Sequence, residues 1–374
     1  MSESSPIAKD MPTMTEIKRY LLPDPNLNQS SVFDVDSQKG LSFFLFDLVV
    51  CTASLTSLTF IATNLSFQSL NLPFQFLSIF PLELFTGTAL WAMWCIGHDA
   101  GHGLINRPKK NNKVNDIVGE VAHSIFCLTP FAPWRRSHKL HHLHHNHVTD
   151  DFSHQWFIRE DRLPDWIKNA YLLRNLQLPF LYLTYLAIGI PDGSHFFFYP
   201  GCGGRMWEKA GEREMRRCAI SSATTVATVV ATFTLLGPLA WVQVVFVPYL
   251  VLSMWLFTVT YLQHHSEDGK LYDDSSFDFA RAAFETVDRD YGQIANLASH
   301  NMMDGHVAHH LFFSMIPHYQ LIEARERIKK GLEKDGFINL YKSVETKDYL
   351  IEILKQWDEN WFFAHEANVV RKSK

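Results

Sequence analysis

With 374 residues the protein is long enough for two or three soluble domains, but no linker rich in Pro, Gly or Ser divides it. Its formal charge of −5 comes from 34 basic and 39 acidic residues interspersed as on solvated helix faces, so no nucleic-acid partner is expected. Five cysteines (Cys51, Cys95, Cys127, Cys202, Cys218) are odd in number and lack CxxC spacing, so neither a disulfide framework nor a zinc ribbon is indicated.

Residues 1–41 have neither the apolar core of a signal peptide nor the acid-poor make-up of a transit peptide, and read as a cytosolic arm. Ser42 to Leu65 carries one charge, Asp47, and Pro73 to Gly97 carries one, Glu83; each exceeds the roughly 20 residues a spanning helix needs. Together they predict a transmembrane hairpin over 42–97. Residues 98–218 form a polar segment whose two shorter apolar stretches, Val121 to Trp134 and Leu178 to Ile190, are expected to lie in the interface or to pack over the spans. Ala219 to Trp241 and Val242 to Leu262 hold no charge and are interrupted only by Gly237 and Pro238, which predicts a second hairpin over 219–262. A further polar segment, 263–374, follows. The turns 61–72 and 236–242 contain none of the 34 basic residues, so the positive-inside rule places both termini and both polar segments in the cytosol. The expected fold class is an all-α integral membrane protein: one integrated domain with four transmembrane helices in two hairpins under a cytosolic helical cap.

Nineteen histidines are spread unevenly, and six of them fall within "HKLHHLHHNH", residues 138–147. The groups follow the ends of the spans: His98 and His102 in "GHDAGHG", His138, His141 and His142 in "HKLHH", His264 and His265 in "TYLQHH", and His306, His309 and His310 in "HVAHH". Residues at i, i+3 and i+4 share a helix face, so HxxxH offers two convergent imidazoles and each HxxHH offers three. Neutral imidazole suits iron, copper, nickel and zinc. With one more histidine the boxes supply nine ligands, enough for two metals at four or five each. The neighbours His144, His145 and His147 fall off the favoured face and are assigned to support. His123, His154, His195 and His365 are isolated, and His300 and His318 are left open. A zinc protease would need HExxH, whereas Asp99 stands at the Glu position; a metal transporter would carry ligands inside the spans, which hold no histidine. A redox di-metal site at the cytoplasmic membrane face, acting on a lipid chain, is the chemical inference.

These residues resemble the membrane fatty acid desaturases, specifically the plant-type Δ12 and ω-3 acyl-lipid branch, from "TEIKRYLLP" near the start to "PHYQLIEA" at 317–324. "GHDAGHG" is similar to the ω-3 form GHDCGHG and "SHKLHHLHHNHV" to SHRTHHQNHGHV, while "HNMMDGHVAHHLF" is closer to the Δ12 form. The resemblance implies a di-iron oxygenase with His98, His102, His138, His141, His142, His264, His306, His309 and His310 as ligands. His264 is preferred to His265 because it follows the TYLQ string. Asn301 and His300 would act through a bridging water or beside the ligands, and Asp99, Asp150 and Asp304 would orient ligand imidazoles. The implied reaction uses O2 and two electrons to remove two adjacent hydrogens from an acyl chain held on a membrane lipid or a thioester.

Three departures from the family pattern stand out: Ala100 replaces the cysteine of the first box, "HHLFFSMIPHY" is one residue longer than its counterpart, and no haem-binding HPGG occurs. Electrons are therefore expected from a separate cytochrome b5 and its NADH-dependent reductase. Residues beside the boxes select between desaturation and hydroxylation, epoxidation or acetylenation, and Gly97 occurs with both ω-3 desaturases and hydroxylases. A specialised-metabolite substrate and a non-catalytic metal-binding membrane protein are the other readings; loss of any box histidine would favour the last, and none is lost. The endoplasmic reticulum membrane is the expected location, with self-association left open.

Overall fold

The computed structural model describes residues 10–23, 30–107, 113–151, 182–189, 194–196, 204–264, 269–345 and 369–370. His154, His265, His365 and Cys202 lie outside the described residues, as do both ends of the 178–190 stretch.

Among the described residues, four helices are long and apolar enough to cross a membrane. The first, α1 (Ser37–Ala62), starts where the Asp36 side chain accepts the N–H groups of Gln38 and Lys39. The second, α2 (Leu72–His102), is capped by Asn71 and stopped by Gly103 in the left-handed region at φ 79°. Their facing stripes bury Asp47 in α1 and Glu83 in α2, while Phe46, Leu77 and Phe80 point outward. An exposed apolar girdle on helices this long fits lipid rather than water. After the short helix α3 (Phe131–Leu143), the third span, α4 (Glu212–Leu236), ends at Gly237, whose φ of 72° turns the backbone into the last span, 238–264. That span opens through a π-helical turn, Val242–Phe246, and continues as α5 (Val247–His264). The close crossing of α2 and α5 requires Gly87, because a Cβ there would lie 2.3 Å from Val251 Cβ.

The fold is mostly helical, with a correction to the all-helical expectation. β1 (Val287–Asp290) pairs in parallel with β2 (Lys342–Glu345), and Leu271–Tyr272 pairs with Val369–Val370. The β1 run "TVDRD" crosses the ends of helices, where an extended backbone can bond to several of them at once. Arg289 Nε donates to the Leu262 carbonyl on α5, and Asp288 accepts the N–H of Val307 at the start of α6 (His306–Leu311). The helix α7 (Leu321–Lys334) then packs on α6.

The 121–134 stretch packs over the spans, largely buried, with Ile125 exposed. The π-helical turn Glu120–Phe126 packs against α2 and α4, and His123 stacks on Trp94 at 3.9 Å between ring centres. Its Nε2 lies 3.0 Å from the Trp94 carbonyl, and burial pushes the imidazole down to about 3, so it is neutral. Gly97 makes this contact possible: a Cβ at 97 would stand 2.2 Å from the His123 ring. Gly97→Ala is therefore expected to cost about 1–3 kcal/mol through overpacking, read as a lower melting temperature in detergent. An unchanged midpoint would show that the ring yields freely.

Candidate metal centre

The histidine boxes follow from the fold. The HxxxH pair occupies the last turns of α2, the first HxxHH lies on α3, His264 ends α5, and the second HxxHH forms α6. α2 and α5 pack side by side and run in the same direction, so their terminal histidines arrive at one end of the bundle.

Two groups of imidazoles result. The first contains His98, His102, His138, His142 and His309. Its Nε2 atoms are 2.7 Å apart for His98 and His138, 3.3 Å for His98 and His102, 3.0 Å for His138 and His142, and 3.0 Å for His142 and His309. The second contains His141, His264 and His310, and the Nε2 atoms of His264 and His306 are 3.0 Å apart, which adds a fourth member. All nine histidines of the boxes are thus gathered, five and four. Adjacent histidines separate: His141 and His142 go to different groups, as do His310 and His309. An HxxHH box therefore does not present three imidazoles to one point, because consecutive helical residues diverge by about 100°.

A metal fits these donors. With metal–nitrogen bonds of about 2.1 Å, neighbouring ligand atoms at right angles lie roughly 3.0 Å apart, and the observed edges of 2.7–3.3 Å bracket that value. Neither ring nitrogen of His310, 1% exposed, has a hydrogen-bond partner among the described residues, and the same holds for Nδ1 of His142. Buried nitrogens are seldom left so unless something else binds them. His142, His309 and His310 are all held well below the ordinary imidazole value, first by burial and then by neighbouring imidazoles, so each keeps a lone pair to offer.

Around the nine, the structure separates the expected supporting residues. Asp99 stands beside the first group: one oxygen is 3.7 Å from His98 Nδ1, and the other accepts both the backbone N–H and the ring of His318. Asp150 turns instead toward His147, whose Nδ1 accepts the Asp150 N–H. His300 meets Asp47 of α1 at 2.8 Å, and Asp304 pairs with Arg325. His300 and Asn301 both hold left-handed conformations and line a pocket between α1 and α2 rather than the metal groups.

His145, assigned to support from its place off the ligand face, reaches His264 at 2.8 Å. Sequence reading passed over two further contributors: Asp151 reaches His141 Nδ1 at 2.8 Å, and Asp288 anchors α6. Only the adjacency of Asp150 and Asp151 hinted at the first. A third acidic group, His147 with Asp150 and Asp274, is a poor metal site. Nδ1 of His147 accepts backbone N–H bonds, so Nε2 carries the hydrogen and donates to Asp274.

Between the two groups lies a slot of about 50 Å³, walled by Trp91, Trp94, Trp134, Leu256 and Val259. His98 and His138 of the first group and His141, His264 and His306 of the second also face it.

Apolar spans that converge on clustered imidazoles beside an apolar slot define a membrane protein built for chemistry on hydrocarbon. The family described as fatty acid desaturase matches residues 74–339, which include every box, and the protein belongs to that family. It is accordingly an oxidoreductase of fatty acyl chains. It is 34% identical over 278 residues to the Δ12 fatty acid desaturase fat-2 of Caenorhabditis elegans, covering 73% of this protein and 68% of that one. It is 33% identical to the ω-3 fatty acid desaturase fat-1 of the same organism, covering 73% and 66%. It is also 36% identical to the acyl-lipid ω-3 desaturase (cytochrome b5), endoplasmic reticulum, of Arabidopsis thaliana, covering 66% and 62%.

Proposed function

We propose that the protein is an O2-dependent di-iron desaturase that introduces a double bond of Δ12 or ω-3 type into an acyl chain carried on a membrane lipid or thioester. The observation that carries this reading is the meeting of five and four imidazoles over one apolar slot. His98, His102, His138, His142 and His309 would hold one iron, and His141, His264, His306 and His310 the other. When bound, the iron pair supplies O2 activation and removal of two hydrogens from adjacent carbons.

The protein's own part is placement. The indoles of Trp91, Trp94 and Trp134 exclude water and confine one methylene pair between the two groups, where orientation lowers the barrier. Tyr182 and Tyr185 face the slot, while Leu183, Thr184 and Ala187 of the same segment line an apolar cleft of about 410 Å³ beside α4. An acyl chain could reach the slot from the bilayer by displacing that segment. The absence of basic residues from both inter-span turns supports a two-hairpin layout, with termini, helical cap and metal site in the cytosol. The name of the Arabidopsis relative supports the endoplasmic reticulum and a separate cytochrome b5 as electron source.

Expression in a desaturase-free yeast, followed by fatty acid methyl ester profiling, should reveal a new diene or triene. Hydroxylated, epoxidised or acetylenic products would instead assign the iron pair to oxygen insertion or further oxidation. No new product of any kind would count against the reading for common acyl lipids.

A further inference from the structure

His145 lies immediately outside the second imidazole group, is 2% exposed, and is held by two contacts of different kinds. Its Nδ1 is 2.7 Å from the carbonyl oxygen of Ala282. A carbonyl only accepts, so Nδ1 carries the hydrogen, and the neutral ring leaves Nε2 as an acceptor. That Nε2 is 2.8 Å from Nδ1 of His264, which must then be the donor. With its hydrogen fixed on Nδ1, His264 has its lone pair on Nε2, the nitrogen that meets His306 at 3.0 Å. The direction of the chain is thus set at its far end, by a backbone carbonyl.

Both ends are anchored. Ala282 belongs to the short helix Phe279–Ala283, whose N-cap Asp278 accepts the N–H of Arg281, and the Ala282 carbonyl also accepts the N–H of Glu285. On the other side, Asn146 takes a left-handed conformation at φ 56° and accepts the N–H of Tyr272, which fixes the backbone beside His145. Asp151 joins the two supports: Oδ1 meets His141 Nδ1, and Oδ2 accepts the Asn146 N–H. The turn 143–151 therefore brackets the second group from outside, backing His141 with a carboxylate and His264 with a neutral imidazole.

We propose that His145 is a positioning residue for the second iron, acting through His264 as a relay from the Ala282 carbonyl and not as a tenth ligand. Its ring also packs 4.6 Å from that of His310, centre to centre, but its hydrogen bond to the group is made with the His264 nitrogen turned away from His306, which places it behind that ligand. The proposal rests on the di-iron reading above. Supports of this kind change metal affinity by roughly 10–100-fold when lost.

The test compares His145→Phe, which keeps the ring and drops both nitrogens, with His145→Gln, whose amide oxygen can accept from His264 while its N–H group donates to Ala282. Each is purified in detergent, checked by thermal melting, loaded with ⁵⁷Fe, and assayed for iron per polypeptide and by Mössbauer spectroscopy. His145→Phe should bind the second iron roughly 10–100-fold more weakly and lose the signal of one site, while His145→Gln should retain both irons. Unchanged iron binding and spectra in His145→Phe would overturn the proposal, as would equal loss in both variants. If His145→Phe does not fold, His145→Gln decides alone: two irons with the wild-type spectrum support the relay, and one iron refutes it. A wild-type protein that takes up fewer than two irons would instead remove the di-iron reading itself.

Discussion

Alanine at His141 and alanine at His142 should each abolish product, but by disabling different metal positions. The residues are neighbours on α3, yet Nε2 of His142 lies 3.0 Å from those of both His138 and His309, whereas His141 belongs with His264 and His310. His142→Ala leaves four of five imidazoles in the first group, with the second intact. His141→Ala leaves three of four in the second and removes the imidazole that Asp151 Oδ1 meets. The proposed di-iron reaction would need both irons at the shared slot, so the acyl product should be undetectable in either case. Iron analysis should give about one tightly held ion per polypeptide in each variant, and the surviving Mössbauer signals should be complementary. Retained desaturation in either variant would remove that histidine from the ligand set. Identical residual spectra would refute the division into two groups.

The spans were legible because apolar runs of this length have few alternatives: 42–65 and 73–97 became Ser37–Ala62 and Leu72–His102. The second helix runs past its expected end because the HxxxH box continues the same helix beyond the apolar run. The imidazoles were legible as well: helical spacing marked the three boxes, and position at the end of a span marked His98, His102 and His264. Their partition was not. It depends on the 100° step between consecutive residues and on where α6 lands relative to α3, which no local pattern records. The supporting residues were the least legible. Asp151 rather than Asp150 meets His141 because the left-handed turn at Asn146 swings the backbone round. His300 pairs with Asp47, 253 positions away, and thereby ties a membrane span to the box-bearing segment. Such contacts are set by tertiary packing and leave almost no signature in spacing.

Stripped of its metal, the protein should lose stability steeply as pH falls below about 6.5, the ordinary imidazole value. His142, His309 and His310 are 1% exposed and held well below that value, by burial first and by neighbouring imidazoles second. In the unfolded polypeptide each would titrate normally. Between the unfolded and folded values the unfolded state therefore binds more protons, and stability rises with pH; read downward, each group removes about 1.4 kcal/mol per pH unit. Asp288 works in the opposite sense. Burial raises its carboxyl from 3.8 to about 6, so the native state binds the extra proton and gains stability as pH falls through that window. One carboxyl cannot offset three imidazoles, and the net slope remains acid-destabilising. Bound metal should steepen the contrast, because ligation requires the lone pairs that acid would occupy. Melting temperatures in detergent with chelator should thus fall by several degrees per pH unit between about 6.5 and 5.5 and change little above 7. A midpoint that held steady or rose on acidification would mean that these imidazoles are already protonated in the folded protein, and so unavailable to a metal.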